Sequence, residues 1–297
     1  MAGFGLGLLF VVIWASAFTA IKGLVPEWPP IAALAIRFTC VGAILVAVLV
    51  LRGVKWPSRA DGWRLAAMGV FGSAGYLAGS WLASLTLPSG LVALLASTAP
   101  LFVALGEVAF LGRRVAPLAW AGLGLGWLGV AVLGAGRGAA GFEIWGVLLA
   151  LGGALSQAAG ILVFAPARGR VDAWSANAIQ AAIAALALAL LAGLVEQRLP
   201  GPPSLTAALS LAYGVVVVGI GGYALYFTLL KRLPPATAAA LQLLAPPLAA
   251  VLGWALLGEI LAWTDVAGGM VTLAGLGLLF RARDLPPLRA KDSPSRR

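Results

Sequence analysis

The chain is divided almost end to end into apolar runs about 20 residues long, the length a helix needs to cross the roughly 30 Å hydrocarbon core of a bilayer. Ten such runs are predicted, near residues 3–24, 30–51, 64–86, 89–111, 117–136, 143–165, 174–195, 205–229, 235–257 and 263–280. The gaps carry turn and first-turn residues, among them Pro29-Pro30, Pro88-Ser89-Gly90, Arg113-Arg114, Pro202-Pro203 and Pro234-Pro235, and none could hold a soluble domain. Of 297 residues 62% are apolar and 10% charged, whereas a soluble fold covers its surface with about a quarter charged residues. Lipid must be the solvent, and the expected fold is an all-α polytopic membrane protein. The first run has no basic leader and no convincing cleavage site, so it reads as a retained helix.

Charge then sets sidedness. A net charge of +10 would suggest nucleic acid in a soluble protein, but here the basic residues sit between apolar runs, a topology signal that excludes nucleic acid as a partner. With a cytoplasmic N-terminus, sixteen basic residues fall inside: Arg52, Lys55, Arg59, Arg64, Arg113, Arg114, Arg168, Arg170, Lys231, Arg232 and the six from Arg281 to Arg297. Only Lys22, Arg137 and Arg198 fall outside, so both termini are expected in the cytoplasm. Trp28, Trp56, Trp63, Trp120, Trp145, Trp174 and Trp263 lie at predicted span edges, as interfacial belt residues do. There is no histidine, and Cys40, the single cysteine, lies inside an apolar run, so no metal site, cofactor or intrachain disulfide is expected.

The sequence also repeats. Residues 87–133 align without a gap on 233–279, pairing Leu87, Pro88, Ala99, Pro100, Leu111, Gly112, Gly122 and Gly129 with Leu233, Pro234, Ala245, Pro246, Leu257, Gly258, Gly268 and Gly275. A unit of five spans must place its second copy upside down, and the flanking charges swap accordingly: Leu85-Thr86 align with Lys231-Arg232, and Arg113 with Glu259. Two inverted five-helix repeats around a central cavity are therefore predicted, residues 1–136 and 137–281, followed by a basic cytoplasmic tail at 282–297. Such repeats can rock about a shared site and alternate its access.

The chain resembles the drug/metabolite transporter superfamily, and within it the EamA-type ten-helix carriers. The residues that carry the resemblance are Trp14-Ala15-Ser16-Ala17-Phe18-Thr19-Ala20-Ile21-Lys22, Arg37-Phe38, the stretches through Pro100 and Pro246, and Leu256-Leu257-Gly258-Glu259. In the first repeat Arg113 replaces the acid of that last motif. The pattern is most similar to bacterial aromatic amino acid exporters of the YddG type. The resemblance implies a secondary transporter in a bacterial inner membrane that exports aromatic or other neutral amino acids or related small metabolites. A multidrug or other metabolite carrier of the same fold is the alternative. A membrane-embedded enzyme would need an acid, base or metal constellation that the sequence does not offer, and a channel lacks rings of charge.

Candidate site residues follow from depth. Pro100 and Pro246 fall about 18 Å into their spans, where each frees the carbonyl four residues earlier, Ala96 and Gln242, and forms a candidate hinge. Ser97, Thr98 and Gln242 flank these breaks, with hydroxyls bonding back within the helix as an equal alternative for the first two. Gln157 lies near the centre of its span, and a mid-depth amide is costly unless paired, so Gln157 and Gln242 are the leading candidates, against a role as interhelical glue. Tyr76 and Ser80 share a face, Tyr226 aligns with Ser80, and Trp14 lies far from either aromatic belt; packing is the plainer account of the aromatics. Lys22 and Arg37 could attract a substrate carboxylate, against snorkelling to the interface. Glu107 could couple protons, against a structural role near the inner surface. Gly75-xxx-Gly79 and Gly122-xxx-Gly126 predict close helix packing, within the monomer or in a homodimer. The remaining expected partners are a small-molecule substrate and membrane lipids.

Overall fold

In the computed structural model of the chain, the described residues are 2–21, 24, 27–87, 92, 95–112, 115–135, 143–196, 200–257 and 262–283. Among them every regular element is helical: α1 (Ala2–Ile21), α2 (Pro30–Leu51), α3 (Arg59–Ala83), α4 (Ala99–Leu111), α5 (Pro117–Ala135), α6 (Ile144–Phe164), α7 (Ala173–Val195), α8 (Leu205–Arg232), α9 and α10 (Trp263–Arg283). In α9 a 3₁₀ turn, Leu241–Leu244, joins Pro235–Ala240 to Ala245–Leu257. Seven helices are long and apolar enough to cross a membrane; the first, fourth and fifth predicted spans appear as the shorter apolar stretches Gly5–Ala17, Ala99–Leu111 and Pro117–Val132. The outer surface is apolar as lipid demands: Leu51, Phe110 and Leu194 are each more than 80% exposed.

Small residues bring the helices together. A Cβ on Gly122 would stand 2.7 Å from the Gly275 carbonyl oxygen, and one on Gly79 would stand 2.7 Å from that of Leu149, so the α5–α10 and α3–α6 seams close to backbone contact. The glycine spacings seen in the sequence therefore serve packing inside the monomer. α2 packs on α7, α3 on α6 and α7, α1 on α8 and α9, α4 on α6 and α9, and α2 on α8.

Two long helices are not regular. α3 is π-helical over Met68–Gly75 and α8 over Gly214–Gly222, both glycine-rich. A wider turn leaves carbonyls without their usual partner four residues on. Ser156 of α6 donates to the Phe71 oxygen at 2.9 Å, and the Asn177 side chain donates to Gly219 and Ile220 oxygens at 2.9 and 3.2 Å.

Helix ends are tied by acids from other elements. Glu196, at the end of α7, accepts from the Ile31 and Ala32 amides at the start of α2, at 2.7 and 2.8 Å. Glu27 accepts from the amide and hydroxyl of Ser204, which itself caps α8. Asp61 takes a two-pronged contact from Arg170, at 2.5 and 3.2 Å. Trp28 departs from the belt reading: it is buried and donates to the Gly201 oxygen at 2.9 Å, because its indole pins the α1–α2 connection to the α7–α8 connection. Trp56, Trp63, Trp145, Trp174 and Trp263 do face outward.

Candidate functional site

The two prolines do not bend continuous helices. The chain turns at Ser97 and Thr98, and Pro100 occupies the first turn of α4; Pro246 likewise stands in the first turn of Ala245–Leu257, after the 3₁₀ turn. A proline lacks the amide that would continue the ladder, but fits a first helical turn at no such cost. The tighter turn also satisfies the carbonyl that the sequence leaves free at Gln242, which accepts from the Ala245 amide. What the break exposes is the Gln242 side chain.

That side chain meets Gln157. The Gln157 amide donates to Gln242 Oε1 at 3.1 Å, joining α6 to the break in α9. Gln157 is buried, while Gln242 is half-buried with its Nε2 lacking any partner. Tyr226 Oη, also buried, approaches the Gln242 side chain without completing a hydrogen bond of ordinary geometry, and Tyr223 and Tyr76 lie within electrostatic reach. Buried polar atoms in native proteins are almost always paired, so unmet donors at one place mark where a ligand or water completes the structure.

Aromatic rings wall this place. Trp14 lies 5.2 Å from Phe10 and 6.1 Å from Tyr226 between ring centres, and Phe10 stacks on Tyr226 at 5.4 Å. Tyr223 meets Trp14 edge-on at 5.3 Å and Phe38 at 5.8 Å. Trp14, Tyr76, Tyr226, Gln157 and Gln242 thus gather as candidates, and the sequence reading missed Phe10 and Tyr223, whose one signal was helical spacing from Trp14 and Tyr226, and Phe38, whose one signal was its place beside Arg37.

Other candidates separate from this group. Thr98 donates back to the Leu95 oxygen at 2.6 Å, the helix-internal bond that competes with a ligand role. Ser97 is half-buried and engaged by neighbours. Ser80 lies one turn beyond Tyr76 with its hydroxyl buried and unpartnered. Glu107 is buried and accepts from the Ala236 amide at 3.1 Å, so it caps α9 from α4. Arg37 does not snorkel: it is 7% exposed, with its guanidinium 5.0 Å above the Phe38 ring. Lys22, Arg113, Arg114, Gly258, Glu259 and the tail from residue 284 lie outside the described residues.

A polar chain absent from the sequence candidates runs beside the aromatics. Ser73 of the α3 π segment donates to Gln180 at 2.5 Å, Gln180 donates to Asn177 at 3.1 Å, and Asn177 reaches the α8 π segment. These three side chains are fully buried and bonded, so they connect the two irregular segments through α7.

The comparisons with known proteins agree with this architecture. The EamA-like transporter family model matches residues 1–135 and again residues 144–281. The chain is similar to the uncharacterized inner membrane transporter YedA of Escherichia coli K12, at 29% identity over 276 residues covering 91% of this chain and 88% of YedA. A probable terminal-alkyne amino-acid exporter of Streptantibioticus cattleyicolor is 31% identical over 302 residues, covering 98% of this chain and 97% of its own. A solved crystal structure superposes with a TM-score of 0.77 at 24% identity, covering 95% of this chain and 98% of that one, a likeness of fold alone. With both halves matched by one family model and apolar helices throughout, the chain is a multi-pass membrane protein that belongs to the EamA-like transporter family.

Proposed function

We propose that the chain is a secondary carrier that exports aromatic or other neutral amino acids, or related small metabolites, across the inner membrane by alternating access. The observation that carries this reading is the Gln157–Gln242 pair at a helix break, with Gln242 Nε2 and Tyr226 Oη unpartnered inside an aromatic wall. An amino acid offers matching chemistry: an apolar or aromatic side chain for the rings and polar backbone groups for the amides. The amino-acid exporter of Streptantibioticus supports the substrate class, and the inner membrane transporter YedA the membrane.

Ten spans in two inverted halves, residues 1–136 and 137–281, supply the moving parts, with both termini and the basic tail in the cytoplasm. The contacts support this arrangement. Exchanging α1–α5 for α6–α10 turns α1–α8 into α6–α3, α1–α9 into α6–α4 and α2–α8 into α7–α3, all of which occur, while α2–α7, α5–α10 and α4–α9 map onto themselves. The π segments and the helix starts at Ala99 and Ala245, and at Pro117 and Trp263, recur 146 positions apart. Pro100 and Pro246 then act as paired hinges.

The test is counterflow of labelled L-phenylalanine, L-tryptophan and other neutral amino acids in proteoliposomes. Saturable exchange is expected, cut at least tenfold by Gln157→Ala and by Gln242→Ala, with melting nearly unchanged because an interhelical hydrogen bond contributes only about 1 kcal/mol. Undiminished exchange in both variants removes the site, and non-saturating flux removes the carrier.

A further inference from the structure

Among the described residues, Arg37 is a charge without a counter-ion. It sits about 10 Å into α2 from Pro30, at 1.5 Å per residue, and its Nε is buried with no hydrogen-bond partner. The described acids are committed elsewhere: Glu27 to Ser204, Asp61 to Arg170, Glu107 to Ala236, Asp172 to the start of α7, Glu196 to the start of α2, and Asp265 to Ala262. Glu143 stands at the start of α6, which makes no contact with α2 of the kind α7 and α8 make. An intramembrane guanidinium with nothing to neutralise it is costly, and proteins keep such groups where they serve a substrate or ion.

The surroundings of Arg37 leave room for that partner. A recess between α1, α2 and α8 is lined by Ala17, Ala20, Leu24, Arg37, Ser210 and Gly214. Gly214 opens α8's π segment, and a Cβ there would stand 3.2 Å from Arg37 Cδ, so the glycine gives the arginine stem its place. The recess also adjoins the aromatic wall: Arg37 lies over Phe38, whose ring meets Tyr223, which in turn meets Trp14. Ala17 follows Trp14 by one helical turn on the same face of α1.

We propose that Arg37 anchors the carboxylate of the transported molecule in this recess, with the apolar part of the same molecule directed toward Phe38, Tyr223 and Trp14. This deepens the carrier reading and rests on it for the word transported; binding of the carboxylate by Arg37 stands on its own geometry. A guanidinium fork presents two parallel donors to the two carboxylate oxygens, which an amide or an alcohol cannot match. The carboxylate would also neutralise the charge that the described residues leave open, so Arg37 weakens the empty protein and stabilises the occupied one.

The experiment uses the purified full chain in detergent and follows melting with 3-phenylpropionate, 3-phenylpropanamide, phenethylamine and chloride as separate additions. The carboxylate alone is expected to raise the melting temperature. Arg37→Met should abolish that rise while melting no lower than the wild type when empty, Arg37→Lys should keep a weaker response, and Ser210→Phe, which crowds the recess and keeps the charge, should weaken apparent affinity at least tenfold. The proposal is overturned by an equal response to the amide or to chloride, by no response to 3-phenylpropionate, by an unchanged response in Arg37→Met, or by an empty Arg37→Met protein that melts well below the wild type. L-phenylalanine counterflow by the wild type is read separately: its absence alongside carboxylate binding sinks the carrier reading and leaves the subsite standing.

Discussion

Replacing Glu107 by alanine is expected to weaken the fold without altering the pH dependence of exchange. Pro234 and Pro235 have no amide hydrogen, so Ala236 carries the first free donor of α9, and Glu107 Oε2 receives it at 3.1 Å in a buried setting. A hydrogen bond to a charged group contributes about 1.5–3 kcal/mol, and a carboxylate at a helix N-terminus adds roughly 0.3–1 kcal/mol. A loss of about 2–4 kcal/mol corresponds to a fall of about 5–15 °C in melting temperature for a chain of this size. Glu107→Gln keeps an acceptor at the same place and should lose less than half of that. The assay is detergent melting of the three proteins beside counterflow at several pH values. Should Glu107→Ala melt with the wild type while its exchange loses all pH dependence, the carboxylate is a proton-coupling group and the capping argument is wrong.

Gly122→Leu should prevent accumulation of folded monomer, measured by size-exclusion of the solubilised chain, because its Cβ meets the Gly275 and Leu279 backbone of α10 at 2.7 Å; normal yield would refute the seam. Asn177→Ala should reduce stability by about 1–3 kcal/mol, since it strands the Gly219 and Ile220 carbonyls and breaks the chain to Gln180 and Ser73; a neutral result in chemical denaturation would refute the linkage. Asp61 and Arg170 should couple by no more than about 1 kcal/mol in a double-mutant cycle despite their short contact, because the Arg170 side chain is 56% exposed and screened; a coupling several times larger would refute the discount. Glu27 is held below its ordinary carboxyl value of 4.5 by the Ser204 hydroxyl and then the Ser204 amide. A depressed value adds stability that is complete above 4.5 and lost as pH falls through the folded value, so the melting gap between wild type and Glu27→Gln should close on acidification; a constant gap would refute it.

Hydropathy and proline position were enough to mark out a series of apolar helices, though not the turn at Ser97 and Thr98 inside the fourth predicted span, and to nominate Gln157, Gln242, Trp14 and Tyr226, because a polar or aromatic group at mid-depth is conspicuous against Leu, Ala and Val. The π segments were not legible, since glycine-rich apolar stretches read the same whether the turn holds four residues or five. Asn177 and Gln180 were passed over for a related reason. They lie within two turns of the polar start of α7, where depth arguments are weak, and only the arrival of Gly219, Ile220 and Ser73 from distant helices shows what they bind. Snorkelling was the wrong expectation for Arg37 because it considers one helix in lipid, whereas α7 and α8 close over this face of α2.

The chemistry of the site is not repeated with the scaffold. From the π segments onward, positions 146 apart share the segment starts and the paired prolines, yet Gln242 corresponds to Ala96, Tyr226 to Ser80 and Glu107 to Gly253. If the halves rock as equivalent bodies, the energy of the moving interfaces stays balanced between the two openings, because every interface that parts on one side has a counterpart that closes on the other. Gln242 and Tyr226 have no such counterparts. A bound molecule therefore meets one set of partners, with one orientation, from whichever side it enters, and the same asymmetry allows its affinity to differ between the two openings. In a carrier of this kind symmetry would govern the movement, and groups with no like counterpart, Gln242 and Tyr226 among them, would govern what is held.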